Sequence, residues 1–251
     1  MNNLKLSEKD AFIIGTGPST AKLLKHKHLL NNFTVIGLNF SIKDFEENLD
    51  YHIVMEKEPN VIYNYMKNNP YREDLPRIIN KIPLRFFPKD ANLIPAVRCD
   101  FKHKPSLRSY TNEFGSGLFS GYITHTIRQP ASVCLQALHL AGILGCKNVY
   151  TIGCDFLFQG DLRYYTGYDN KDHKSNISTS IVRPKNIVEV DFCGEKRLTA
   201  ECYKNTADWT NRFIKEVCRP EMEVYDFSGG LLTAAIQLNL EEFMGKYENN
   251  I

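Results

Sequence analysis

The stretch Phe12-Ile13-Ile14-Gly15-Thr16-Gly17-Pro18-Ser19-Thr20 holds residue types at a spacing that could do chemistry. Gly15 and Gly17 let a backbone come close to an anion. The N–H groups that open a following helix, together with its dipole, favour phosphate. Pro18 removes one donor and stiffens the turn. Ser19 offers a hydroxyl to a phosphate oxygen, or caps the helix as Thr20 also could. A full dinucleotide fingerprint needs a third small residue where Thr20 stands. It also needs an acid at the end of the second strand, where Asn39 stands. The pattern therefore points away from FAD and NAD. A tight strand-to-helix turn also needs glycine for steric reasons alone.

Further candidates lie in the polar stretches. His173 follows Tyr164, Tyr165 and Tyr168. Tyrosine hydroxyls there could bind a leaving phosphate while His173 acts as acid or base near neutral pH. The same stretch also reads as a solvated loop whose aromatics pack on the domain. Arg128, beside His125, precedes an apolar helix and could neutralise diphosphate charge. Glu56 and Glu58 end a strand and could meet a sugar hydroxyl or magnesium, or form a plain turn. Asp161, Asp169 and Asp172 do not meet EF-hand spacing, and no metal constellation is expected. His26, His28, His52, His103 and His139 show no partner pattern, and His139 is expected to be structural.

The elements that must position these residues follow from hydrophobic pattern and punctuation. Apolar runs predict strands over 11–15, 33–39, 50–56, 81–87, 147–156 and 222–228. Helices are expected after the glycine turn, over 60–69, over 130–145 and over 201–218, with Gly145 closing the third. Residues 186–199 read as a hairpin or pair of strands within an irregular lid segment, 157–200. A second irregular stretch spans 89–129. The strand–helix alternation predicts one Rossmann-like α/β domain over 1–251, doubly wound around a mostly parallel sheet.

Bulk properties narrow the class. The chain has 251 residues, 43% hydrophobic and 24% charged, enough for one sizeable core. A net charge of +2 gives no argument for nucleic acid. Seven cysteines without C-x-x-C spacing argue against zinc and for a reducing compartment. With a polar N-terminus and no long apolar run, a cytoplasmic protein is expected. Peripheral membrane contact and homo-oligomer formation stay open.

Three quoted stretches carry a resemblance: "IIGTGPS", "VIGLNFS" and "GCKNVYTIGCDF", with the closing "VYDFSGG". Together they resemble the bacterial sialyltransferases typified by the Campylobacter lipooligosaccharide enzymes. They are also similar to the related family of motility accessory factors and archaeal hydroxymethylpterin diphosphokinases. The resemblance implies a glycosyltransferase A-like arrangement in which Gly15, Thr16, Gly17, Pro18, Ser19 and Asn39 hold the nucleotide of a CMP-sugar donor. It implies that Ser132, at the start of the later helix, also touches the nucleotide. Gly153 and Asp155 fall on its G-x-D unit, with Asp155 near ribose or base. The chain departs from the sialyltransferases at two places: Leu157 stands for their phosphate-binding tyrosine, and Cys202 for their base histidine.

The resulting expectation is a transferase using a nucleotide-activated donor, with no cofactor required and a glycan or small molecule as acceptor. His173, Tyr165 and Arg128 are the expected catalytic residues. The alternatives are a magnesium-dependent diphosphokinase and a non-catalytic nucleotide-binding protein.

Overall fold

The computed structural model describes residues 7–54, 72, 74–79, 93–95, 97–98, 128–129, 133–159, 187–218 and 222–248. The strands, in chain order, begin with β1 (Ala11–Ile14), β2 (Thr34–Leu38), β3 (Tyr51–Val54), β4 (Arg77–Ile79) and β5 (Leu93–Pro95). Then come β6 (Val97–Arg98), β7 (Arg128–Gln129), β8 (Asn148–Ile152), β9 (Ile187–Phe192) and β10 (Glu195–Ala200). The last two are β11 (Glu223–Asp226) and β12 (Ile236–Gln237). Eight of them form one sheet in the order β12-β11-β8-β1-β2-β3-β4-β5. Every pairing in it is parallel. The expected α/β, Rossmann-like arrangement is therefore present.

All four residues of β1 are fully buried, because a central parallel strand is covered on both faces. Its side chains alternate: Ala11 and Ile13 enter one core, Phe12 and Ile14 the other. The first core is roofed by helices α2 (Val133–Ile143) and α3 (Glu201–Phe213). The second lies under the helical run Pro18–Asn32 and the helix α4 (Leu240–Glu248). A short turn, α1 (Ile42–Phe45), adds two apolar side chains to that second core. Layers on both faces make the sheet doubly wound.

The segment after the glycine turn departs from the expected α-helix. Pro18–Asn32 is a 3₁₀ helix of 15 residues, far beyond the usual length of such runs. Thr20, Leu23, His26 and Leu29 are buried at intervals of three, but Ser19, Leu23, His26 and Leu30 are buried at α-helical spacing, so both periods are compatible with the buried face. Leu24, next to the buried Leu23, is exposed.

Other punctuation is as expected. Gly145 has φ +80°, and its N–H donates to the Gly142 carbonyl while that of Cys146 reaches Ala141, a Schellman closure of α2. β9 and β10 pair as an antiparallel hairpin. Cys193 and Gly194 both have positive φ at its tip, as a two-residue type I′ turn demands. The strand expected over 81–87 and the helix over 60–69 lie outside the described residues. So does most of the lid segment, 160–186. Among the described residues no helix is long and apolar enough to cross a membrane.

Candidate functional site

In an open parallel sheet, ligands meet the crevice at the carboxyl ends of the strands where the winding reverses. Here that place lies between β1 and β8: β1 pairs with β2 on one side and with β8, far along the chain, on the other. Three loops meet at this edge: Gly15–Ser19 after β1, Gly153–Phe156 after β8, and the turn after β11.

Asp155 ties the first two together. Its Oδ1 accepts the Ser19 backbone N–H at 3.2 Å, and its Oδ2 accepts the Ser19 hydroxyl at 2.9 Å. Ser19 Oγ in turn accepts the Gly153 N–H at 2.9 Å, and the Thr20 hydroxyl donates to the Gly15 carbonyl at 3.1 Å. Neither Ser19 nor Thr20 is the N-cap, as had been expected. Gly17 holds that position without a side-chain cap, with Pro18 in the first turn. The turn's N–H groups have internal acceptors: Gly15 donates to Ile152 O, Gly17 to Gly153 O and Thr20 to Gly17 O.

The glycines have a steric reason besides any ligand. A Cβ on Gly15 would lie 2.2 Å from Gly153 O, and one on Gly17 only 2.0 Å from Asp155 Oδ2. Backbone strain gathers at the same edge. Asn39 (φ +46°), Gly153 (φ +72°) and Phe156 (φ +54°) all lie in the left-handed region at the ends of β2 and β8. The Asn39 carbonyl accepts the Nε2–H of the buried His52 at 2.6 Å.

The electrostatics single out Asp155, which is 8% exposed. Burial, reinforced by the charge of Asp226, pushes its pKa up to about 7 against the opposing Ser19 hydrogen bonds. Asp226, at the end of β11, is fully buried and also raised, chiefly by burial. Its Oδ1 accepts the Thr151 hydroxyl at 2.7 Å and the Ser228 N–H at 3.2 Å. Ser228 Oγ accepts the Cys154 N–H at 3.1 Å, and Leu231 N–H donates to Asp155 O at 2.9 Å. The Cys154 thiol is raised by its hydrogen bond to Cys134 and by burial, so it stays neutral and is no nucleophile.

Of the expected residues, Gly15, Thr16, Gly17, Pro18, Ser19, Asn39, Gly153 and Asp155 fall on this edge. Tyr165, His173, Ser132, Glu56, Glu58 and His125 lie outside the described residues, and Arg128 is described only as backbone in β7. Leu157 is buried; Cys202 is exposed on α3. Sequence reasoning missed Asp226 and Ser228. The signal available was an acid at the end of an apolar strand, in "VYDFSGG". It also missed the partners of two histidines: His52 bonds Asn39, and His26 lies 3.1 Å from Glu241. Among the described residues no group of three or more His, Cys, Asp or Glu side chains could hold a metal ion. Compared with protein-family models, curated proteins and solved structures, the chain finds no match.

Proposed function

We propose that the chain is a transferase that takes a nucleotide-activated donor, a CMP-sugar-like nucleotide sugar, in the crevice between β1 and β8. One observation carries this reading: a buried carboxyl, Asp155, accepts the N–H and the hydroxyl of Ser19 in a glycine turn at the point where the sheet's winding reverses. In this reading the donor phosphates lie along Gly15–Ser19, and the ribose and base near Asn39, Ser132 and Asp155. An acceptor hydroxyl attacks the anomeric carbon and the nucleotide leaves. His173 takes the acceptor proton, while Tyr165 and Arg128 meet the leaving phosphate. No metal is required.

Calorimetric titration with CMP, UDP, GDP and ATP, each with and without magnesium, tests the reading. Binding of CMP without metal, weakened in Gly17→Ala, is the expected result. ATP binding only with magnesium would move the chain to the phosphotransferases. Absence of binding by all four nucleotides would end the donor-binding reading.

A further inference from the structure

The helix α4 and the run Pro18–Asn32 share a polar seam beside their common apolar core. Phe243 and Tyr247 of α4 pack on Phe33, and Met244 is fully buried. Glu241 and Glu248 lie two helical turns apart on one stripe of α4, and both reach His26. The His26 side chain is only 10% exposed. Its Nε2 lies 3.1 Å from Glu241 Oε2. An ionised carboxylate can only accept, so Nε2 carries the proton of a neutral ring. Nδ1 is buried, has no hydrogen-bond partner among the described residues, and lies 3.7 Å from Glu248 Oε1. The same Glu248 oxygen lies 3.4 Å from His28 Nε2. A neutral His26 therefore turns a lone pair towards a carboxylate. A proton on Nδ1 gives each carboxylate a donor.

We propose that His26 is a proton-operated clasp: its doubly protonated ring, held between Glu241 and Glu248, fastens α4 to the run Pro18–Asn32, and loss of the Nδ1 proton loosens it. Imidazole is the side chain whose charge changes between about pH 5 and pH 8. The two carboxylates favour the charged ring. Burial opposes it, as does the Lys25 ammonium, 2.7 Å from the same Glu241 oxygen. The Glu241 carboxyl is held below its ordinary value, first by Lys25 and then by His26. Other charged groups of the two helices face elsewhere. Lys27 donates to the Asp44 carbonyl and lies over the Phe45 ring, and Lys22 is exposed. Glu242 and Lys246 stand about 100° or more round α4 from the Glu241–Glu248 stripe. A docked state that binds the proton more tightly than the loosened state is favoured at low pH and loses that advantage as pH rises. The clasp is independent of any nucleotide.

Amide hydrogen exchange of α4 tests the clasp. Protection of the α4 amides is followed from about pH 5.5 to about pH 8, relative to that of β1, so that changes in global stability cancel. In the wild type the ratio is expected to fall about fivefold as pH rises. His26→Gln keeps a donor for Glu241 but takes up no proton, and its ratio is expected to stay flat. Glu248→Gln removes the second carboxylate alone and is expected to abolish most of the fall. A flat wild-type ratio, or an undiminished fall in either variant, overturns the proposal. Should His26→Gln fail to fold, Glu248→Gln and His28→Gln decide together: the fall is expected to vanish in the first and persist in the second. Its loss in His28→Gln would move the clasp to His28 and overturn the assignment.

Discussion

The Asp155 carboxylate lies across the start of the helical run that carries Ser19, accepting its N–H at 3.2 Å and its hydroxyl at 2.9 Å. An oxyanion from the protein thus occupies the place where a helix start offers its donors to phosphate. The relationship has consequences for stability, for the glycines beside it and for ligand binding.

The first concerns pH. The Asp155 pKa rises from 3.8 to about 7 on folding, chiefly through burial. The folded state therefore holds a proton that the unfolded state has released, and stability falls as pH climbs from about 4 to about 7. At about 1.4 kcal/mol per pKa unit, the loss is on the order of 4 kcal/mol. Urea unfolding at a series of pH values should show this decline in the wild type and a flatter profile in Asp155→Asn. A slope from Asp226 remains in the variant, since that group is raised in the same direction. A flat wild-type profile would refute the assignment.

Close approach explains the glycines and predicts unequal costs. In Gly15→Ala the new methyl meets the Gly153 backbone oxygen at 2.2 Å, which no rotamer change relieves. In Gly17→Ala it meets the end of the Asp155 side chain at 2.0 Å, displacing the carboxylate from Ser19, and approaches the Gly153 backbone oxygen at 2.9 Å, a milder backbone contact than at Gly15. Gly15→Ala is expected to cost about 3 kcal/mol or more and Gly17→Ala about 1–2 kcal/mol. Gly245→Ala, in the interior of α4 with nothing within 4 Å, should instead stabilise by about 0.5–1 kcal/mol. Thermal melts of the three variants give the ranking, and equal losses at Gly15 and Gly245 would contradict it.

Strands β1, β2, β3, β8 and β11, the mostly parallel sheet, the Gly145 closure and the hairpin were legible because each depends on local signals, whereas the short strands β4, β5 and β12 were not expected. Nor was the 3₁₀ character of Pro18–Asn32. Its buried residues fit a spacing of three and a 3.6-residue face alike, so "AKLLKHKHLL" carries no signal that separates the two helix types. The glycine turn and Asp155 were legible as site residues, but their mutual hydrogen bonds span 136 positions of sequence. The same distance problem hid Asp226 behind Asp155 and Glu241 behind His26.

The buried face of the helical run has its own test. Leu23 is fully buried and Leu24 is 39% exposed. Leu23→Ala is expected to cost about 2–5 kcal/mol, and Leu24→Ala about 0.5 kcal/mol or less. Phe33, at the end of the run, packs its ring against Phe12, Tyr150, Phe243 and Tyr247. Its replacement by Ala is expected to cost about 3–5 kcal/mol. Equilibrium unfolding in urea measures all three, and comparable losses at Leu23 and Leu24 would contradict the burial of one and the exposure of the other.

Asn39 separates backbone strain from ligand contact. Its φ of +46° is one that Asn tolerates, Gly adopts freely and Ala resists. The hydrogen bond from His52 reaches the backbone carbonyl, so it survives any substitution that keeps the backbone path. Asn39→Gly should therefore fold with stability within about 0.5 kcal/mol of the wild type, and Asn39→Ala should lose about 1 kcal/mol. Nucleotide binding divides the pair differently. If the Asn39 amide meets the ribose or base, both variants lose CMP affinity by about tenfold, the loss of one hydrogen bond of about 1.4 kcal/mol. If Asn39 serves only the turn, Asn39→Gly retains wild-type affinity. Calorimetric CMP titration of the two variants, beside their urea midpoints, decides between these outcomes. Full retention in Asn39→Gly would remove Asn39 from the nucleotide site.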